Sequence, residues 1–328
     1  MKIVNLLSVL FVIILCVFFY LGFSKESPKN LSFLRIPISF FPFLDRPTMK
    51  VEIEGKKYSL LVDLGSSFPV FLHKKYIDKI EDKESAGIFK SFDVNGNCYE
   101  RAGFKVGDVK LQENCKLTGV VIISEDIDFL LKGCKISPPG IWHRLMDQLE
   151  LLIMSGRIGL PVFRAGDCFF DFPNSYIVVA DNITSLIDRA GCSVDGFVQV
   201  PFNLEKYGVI LTLQTDLGLK KFVLDTGATH SILKKSQVAK EIAKEFKPGK
   251  WFYRNHKTEI AGCNFGICNF VLFDFTDRFE VDGILGVDFF KKHAICLDFH
   301  NQIAYIQPPK KENELREKLS AWLMGISD

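Results

Sequence analysis

Long runs of one charge sign are absent from this chain. Its 41 lysines and arginines stand against 39 aspartates and glutamates, a net of +2 over 328 residues. So even a balance gives no electrostatic footprint for nucleic acid or an anionic surface, and any partner has to be argued from a site. Two catalytic signatures are absent as well. Neither G-x-S-x-G nor H-E-x-x-H occurs, which excludes the nucleophile elbow of serine hydrolases and the zinc helix of many metalloproteases. His230 therefore reads as a residue flanking a turn. Cys263 and Cys268 form C-x4-C with no second closely spaced Cys or His pair, too few ligands for zinc. Neither a metal nor an organic cofactor is expected.

What is present points to a large folded chain. Apolar residues make up 48% of it, with 31 phenylalanines, enough for a sizeable core and too many for disorder. Its length exceeds the usual single core, so two domains or one two-lobed domain are expected. Ile3 to Phe23 is apolar apart from Asn5, Ser8 and Gly22. That length suits an uncleaved N-terminal transmembrane helix, residues 1–24, with the rest outside the cytoplasm. Gly22-Phe23-Ser24 keeps a cleaved signal open as the alternative. Eight cysteines follow, an even number that permits disulfides in an exported chain. Cys263 and Cys268 bracket Asn264-Phe265-Gly266-Ile267, read as a hairpin tip, and are the best-placed pair for a short bridge; buried free thiols are the alternative.

The chain also repeats itself. Phe33-Leu34-Arg35-Ile36-Pro37 matches Phe197-Val198-Gln199-Val200-Pro201, and Tyr58 to Ser67, containing Asp63-Leu64-Gly65, matches Lys220 to Thr229, containing Asp225-Thr226-Gly227. Gly156 to Val179 then aligns without gaps on Gly283 to Ile306, with 6 of 24 positions identical. Composition alone gives about one or two. Each half reads as buried strands running into glycine turns. Asp171 and Asp298 repeat too, but each precedes an asparagine by three residues and reads as the start of a turn. Helix is the exception, expected at Trp142 to Met154 and at Glu312 to Met324. The expected organisation is a first lobe over 33–180, a link over 181–196, a second lobe over 197–309 and a terminal helix over 310–328.

Paired Asp-x-Gly turns suit peptide hydrolysis, which needs an activated water and a proton for the leaving nitrogen. Two close carboxyls cannot both ionise cheaply, so one acts as base and the other as acid. Gly65 and Gly227, lacking Cβ, let the two loops approach. Ser66 can donate to Asp63 whereas Ala228 cannot serve Asp225, so Asp63 is expected to carry the charge and Asp225 the proton.

Asp225-Thr226-Gly227-Ala228-Thr229, followed by Ile284-Leu285-Gly286, resembles a retropepsin-like aspartic protease, and two halves in one chain resemble the pepsin arrangement. The resemblance implies an all-β, two-lobed acid-protease fold with internal pseudo-two-fold duplication and few short helices. It implies catalysis by Asp63 and Asp225, with Gly65, Ser66, Thr226, Gly227, Ala228, Thr229, Gly159, Ile284, Leu285 and Gly286 supporting their loops. Hairpins near Asn95 to Leu111 and Lys257 to Phe270 would cover a polypeptide substrate.

The first half departs from that pattern twice. Leu64 replaces the threonine that grips the opposite loop in the family, leaving only Thr226 to do so. Arg157 stands where the second half has Ile284. A buried guanidinium needs a carboxylate, and an Arg157 clamped onto Asp63 would count against proton sharing and so against catalysis. Two alternatives to an aspartic endopeptidase stay open: an inactive peptide- or protein-binding module, and a homodimer using Asp225 from each chain.

Overall fold

Short apolar runs bounded by turn residues resolve into strands in this computed structural model, which describes residues 33–40, 45–126, 154–247, 249–276 and 279–309. Among the described residues no helix exceeds the six residues of Ile183–Asp188, and none is long and apolar enough to cross a membrane. The apolar N-terminal run, most of Trp142 to Met154 and the Glu312 to Met324 segment lie outside the described residues.

A six-stranded sheet carries the pseudo-symmetry. Its order is Leu34–Pro37, Tyr176–Ala180, Asp167–Asp171, Ile295–Asp298, Ile303–Ile306 and Val198–Pro201. At its edges Leu34 faces Val179 and Val198 faces Ile306, so positions equated by the sequence repeat make equivalent pairs. In the middle Phe169 faces Cys296, and these two are themselves equivalents. A local two-fold axis therefore passes between them.

Each half adds a sheet of its own with the same central pairing. In the first, Lys56–Asp63 runs parallel to Gly156–Gly159, with Leu60 opposite Gly156 and Asp63 opposite Gly159. The second half repeats this with Gly218–Leu224 and Gly283–Leu285, where Phe222 lies opposite Gly283. These strands read as unbroken apolar runs because both faces are covered: Leu60, Val62, Ile158, Phe222, Leu224 and Leu285 are fully buried. All described residues fall in one compact unit beginning at Ser32.

Two expectations need correction. Cys263 and Cys268 do not flank a hairpin tip; both lie on the strand Cys263–Phe273, and the turn is Ala261-Gly262, both at positive φ. Five residues along a strand span about 16 Å, far beyond the reach of a disulfide, and neither cysteine is in one. The first-half hairpin expected near Asn95 to Leu111 begins earlier, pairing Lys83–Phe92 with Cys98–Val106. The segment 181–196, expected as a link, is itself folded. Asn182 caps the helix Ile183–Asp188 by accepting from Ser185 N at 2.8 Å, and Leu186 and Cys192 are buried against Phe169, Val178 and Cys296.

Candidate active site

Asp63 ends its strand and Asp225 follows the equivalent one, so each carboxylate enters a tight turn. Ser66 N donates to Asp63 O at 3.1 Å and Ala228 N to Asp225 O at 3.2 Å. The turns are held from behind by the repeated glycine blocks: Leu160 N donates to Ser66 O at 3.2 Å and Val287 N to Ala228 O at 2.8 Å. Gly159, Ile284, Leu285 and Gly286 thus lie directly behind the two loops, and Thr229 O accepts from Asp288 N at 3.3 Å.

The loops meet face to face. A Cβ on Gly65 would lie 2.5 Å from Asp225 Cγ, and one on Gly227 would lie 2.7 Å from Asp63 Oδ1. Each carboxyl therefore sits over the other loop's glycine, an approach only glycine permits. Thr226, fully buried, ties the loops together: its Oγ1 donates to Val62 O at 2.7 Å and accepts from Leu64 N at 3.1 Å. Leu64 is buried at the matching place and has no hydroxyl to return the grip.

Arg157 is clamped onto Asp63. Its Nη1 lies 3.0 Å from Asp63 Oδ2 and its Nη2 2.5 Å from Glu125 Oε1, while the guanidinium stacks 4.2 Å from the Phe71 ring centroid. Burial opposes the Arg157 charge, but Glu125 and Asp63 outweigh it and raise the guanidinium further above its ordinary value. Glu125 Oε1 also lies 3.6 Å from Arg101 Nη2, and Arg101 donates to Ser91 Oγ on the paired strand of the covering hairpin. A chain of alternating charge thus runs from Asp63 through Arg157 and Glu125 to Arg101.

The Ser66 hydroxyl donates to Phe68 O at 3.3 Å, not to Asp63. Arg157 is the side chain that reaches the Asp63 carboxylate instead. Burial first, and the Asp63 charge second, push the Asp225 carboxyl up to about 7, against the Gly227 N–H and the Arg157 cation, which pull it back. Gly227 N donates to Asp225 Oδ1 at 2.8 Å, and a hydrogen bond between the two carboxyls adds to the rise.

Sequence reasoning missed two supports. Glu125, at the end of Val121–Glu125, is the carboxylate that a buried arginine at position 157 demanded. Ser231 and Asp288 form the other: Ser231 Oγ donates to Asp288 Oδ1 at 2.7 Å and accepts from Gly286 N at 3.1 Å. The repeat places prolines, Pro69 and Pro161, at both equivalent positions, a paired exchange legible in the alignment. Asp171 and Asp298 accept from Asn174 N at 3.1 Å and Asn301 N at 2.8 Å, as turn residues do. His230 is exposed.

The first-half hairpin reaches across to the second half. Val94 O accepts from Thr276 N at 3.1 Å, and the Val94 side chain packs on a hollow of Ile210, Val223, Phe275, Val281 and Ile284, where Ala228 also packs.

No family model matches the sequence, and no curated protein matches it. Among solved structures, the crystal structure of the aspartic proteinase from Irpex lacteus superposes with a TM-score of 0.50 at 12% identity, over 85% of this chain and 98% of that one. At that identity the likeness is one of fold: the chain has the mostly β architecture of a pepsin-like aspartic proteinase.

Proposed function

We propose that the protein is an aspartic endopeptidase with a polarised dyad, in which Asp63 carries the charge and Asp225 the proton. The observation that carries this reading is the placement of each carboxyl over the opposite loop's glycine, with Asp225 pushed up to about 7 beside an Asp63 paired to Arg157. Asp63 takes a proton from a water, the resulting hydroxide attacks the peptide carbonyl carbon, and Asp225 gives its proton to the carbonyl oxygen. The tetrahedral intermediate then collapses: its hydroxyl returns a proton to Asp225 and the protonated Asp63 gives one to the leaving nitrogen. The substrate would be an extended polypeptide lying under the hairpin Lys83–Val106. The apolar run at 1–24 would anchor the protein in a membrane, with the cleft outside the cytoplasm.

The Arg157 clamp also favours a second reading, that the cleft binds peptide or protein without cleaving it. Cleavage of an unfolded protein from pH 4 to 8, by the wild type and by Asp63→Asn and Asp225→Asn, separates the readings. The proposal expects activity that falls as pH rises through about 7 and loss of at least about a hundredfold in both variants. Loss in Asp225→Asn alone would indicate a dimer sharing two copies of Asp225. Absence of cleavage throughout would leave the binding reading.

A further inference from the structure

Glu125 is 1% exposed, a place a carboxylate occupies only with partners. The charged and titratable groups around it come from four strands. Arg157 and Arg101 approach its Oε1 from Gly156–Gly159 and Cys98–Val106. His73, opposite it in register on Val70–His73, is pushed down by burial and so neutral near pH 7. Asp63 follows beyond Arg157. Asp126, next in the chain, and Tyr99, 5.1 Å from Arg101 by its ring centroid, act on Arg101, and Lys75 acts on His73. Along the ladder itself two guanidiniums face two carboxylates, so its formal charge is zero.

We infer that Glu125 is a positioning residue for the dyad: it holds Arg157 on the Asp63 carboxylate and cancels the second guanidinium, so that Asp225 keeps its proton. Without that negative charge the ladder would carry +1 beside Asp225, and a nearby cation favours the ionised form of an acid. Arg157 already exerts that pull on Asp225. Glu125 limits it from a buried place outside both Asp-x-Gly motifs. The inference deepens the proposed hydrolase and rests on it for its catalytic meaning.

The test follows the Asp225 carboxyl in the full-length protein by carbon NMR of labelled aspartate across pH, with Asp225→Asn for assignment, alongside the cleavage profile. Glu125→Gln keeps the shape and an oxygen for Arg157, and is expected to lower the Asp225 midpoint by about one pH unit. In a cleaving protein the alkaline limb moves with it. Adding Arg101→Gln removes the outer pair as a neutral unit and is expected to return the midpoint to the wild-type value. Arg101→Gln alone, with the ladder left at −1, is expected to raise it, and supplies the test if Glu125→Gln fails to fold. An unmoved midpoint in the single variants, or equal shifts in Glu125→Gln and the double variant, would overturn the inference. Because the carboxyl titration needs no turnover, a protein that cleaves nothing sinks the hydrolase reading and still decides the role of Glu125.

Discussion

Replacing Asp225 by asparagine removes one titrating proton and keeps the shape of the protonated acid. The amide oxygen can still accept from Gly227 N, as Asp225 Oδ1 does at 2.8 Å, and the amide N–H can face Asp63. The carboxyl's ordinary value of 3.8 is pushed up to about 7. Between those values the folded chain holds a proton that the unfolded chain has released. The stability Asp225 contributes is therefore complete below pH 3.8 and is lost as pH rises through 7. Three pH units at ~1.4 kcal/mol each set a ceiling of ~4 kcal/mol. Asp225 is partly exposed to the cleft, and water there reduces the gap to on the order of 2 kcal/mol. Urea unfolding of the wild type and of Asp225→Asn at pH 4, 6 and 8.5 measures it. The variant is expected to gain on the wild type by that amount from pH 4 to 8.5. A difference that stays flat with pH, or one that moves toward the wild type in alkali, would refute the claim that folding holds a proton on Asp225.

Two further outcomes follow from the same geometry. Arg157→Ile, which copies the second half, leaves Asp63 and the buried Glu125 without their shared cation and is expected to cost about 3–5 kcal/mol in urea unfolding; Glu125→Leu in the same chain should recover only part of it, since it removes one stranded carboxylate but takes a partner from Arg101. Thr226→Val strips Leu64 N and Val62 O of their common partner and is expected to cost about 2–4 kcal/mol, with cleavage lost as the loops separate; a variant as stable and active as the wild type would show that the single grip does not hold the loops.

An arginine clamped onto Asp63 was expected to count against proton sharing. The clamp is there, at 3.0 Å, and it pulls against the rise of the Asp225 carboxyl, which burial and the Asp63 charge nevertheless carry up to about 7. The expected role of Ser66 failed for a local reason: its hydroxyl donates instead to the Phe68 carbonyl two residues on.

By itself, the sequence determined the duplication, the strand-and-turn character of each half and the two Asp-x-Gly loops. Those features rest on local patterns, apolar runs ending in glycine, written twice in one order. Tertiary structure alone decided which face each strand turns and what meets there. Arg157 reaches partners 94 and 32 residues away, and Cys263 and Cys268, five residues apart, never meet. Side chains alternate along a strand, so contacts depend on pairing register, and that register exists only once distant segments have come together.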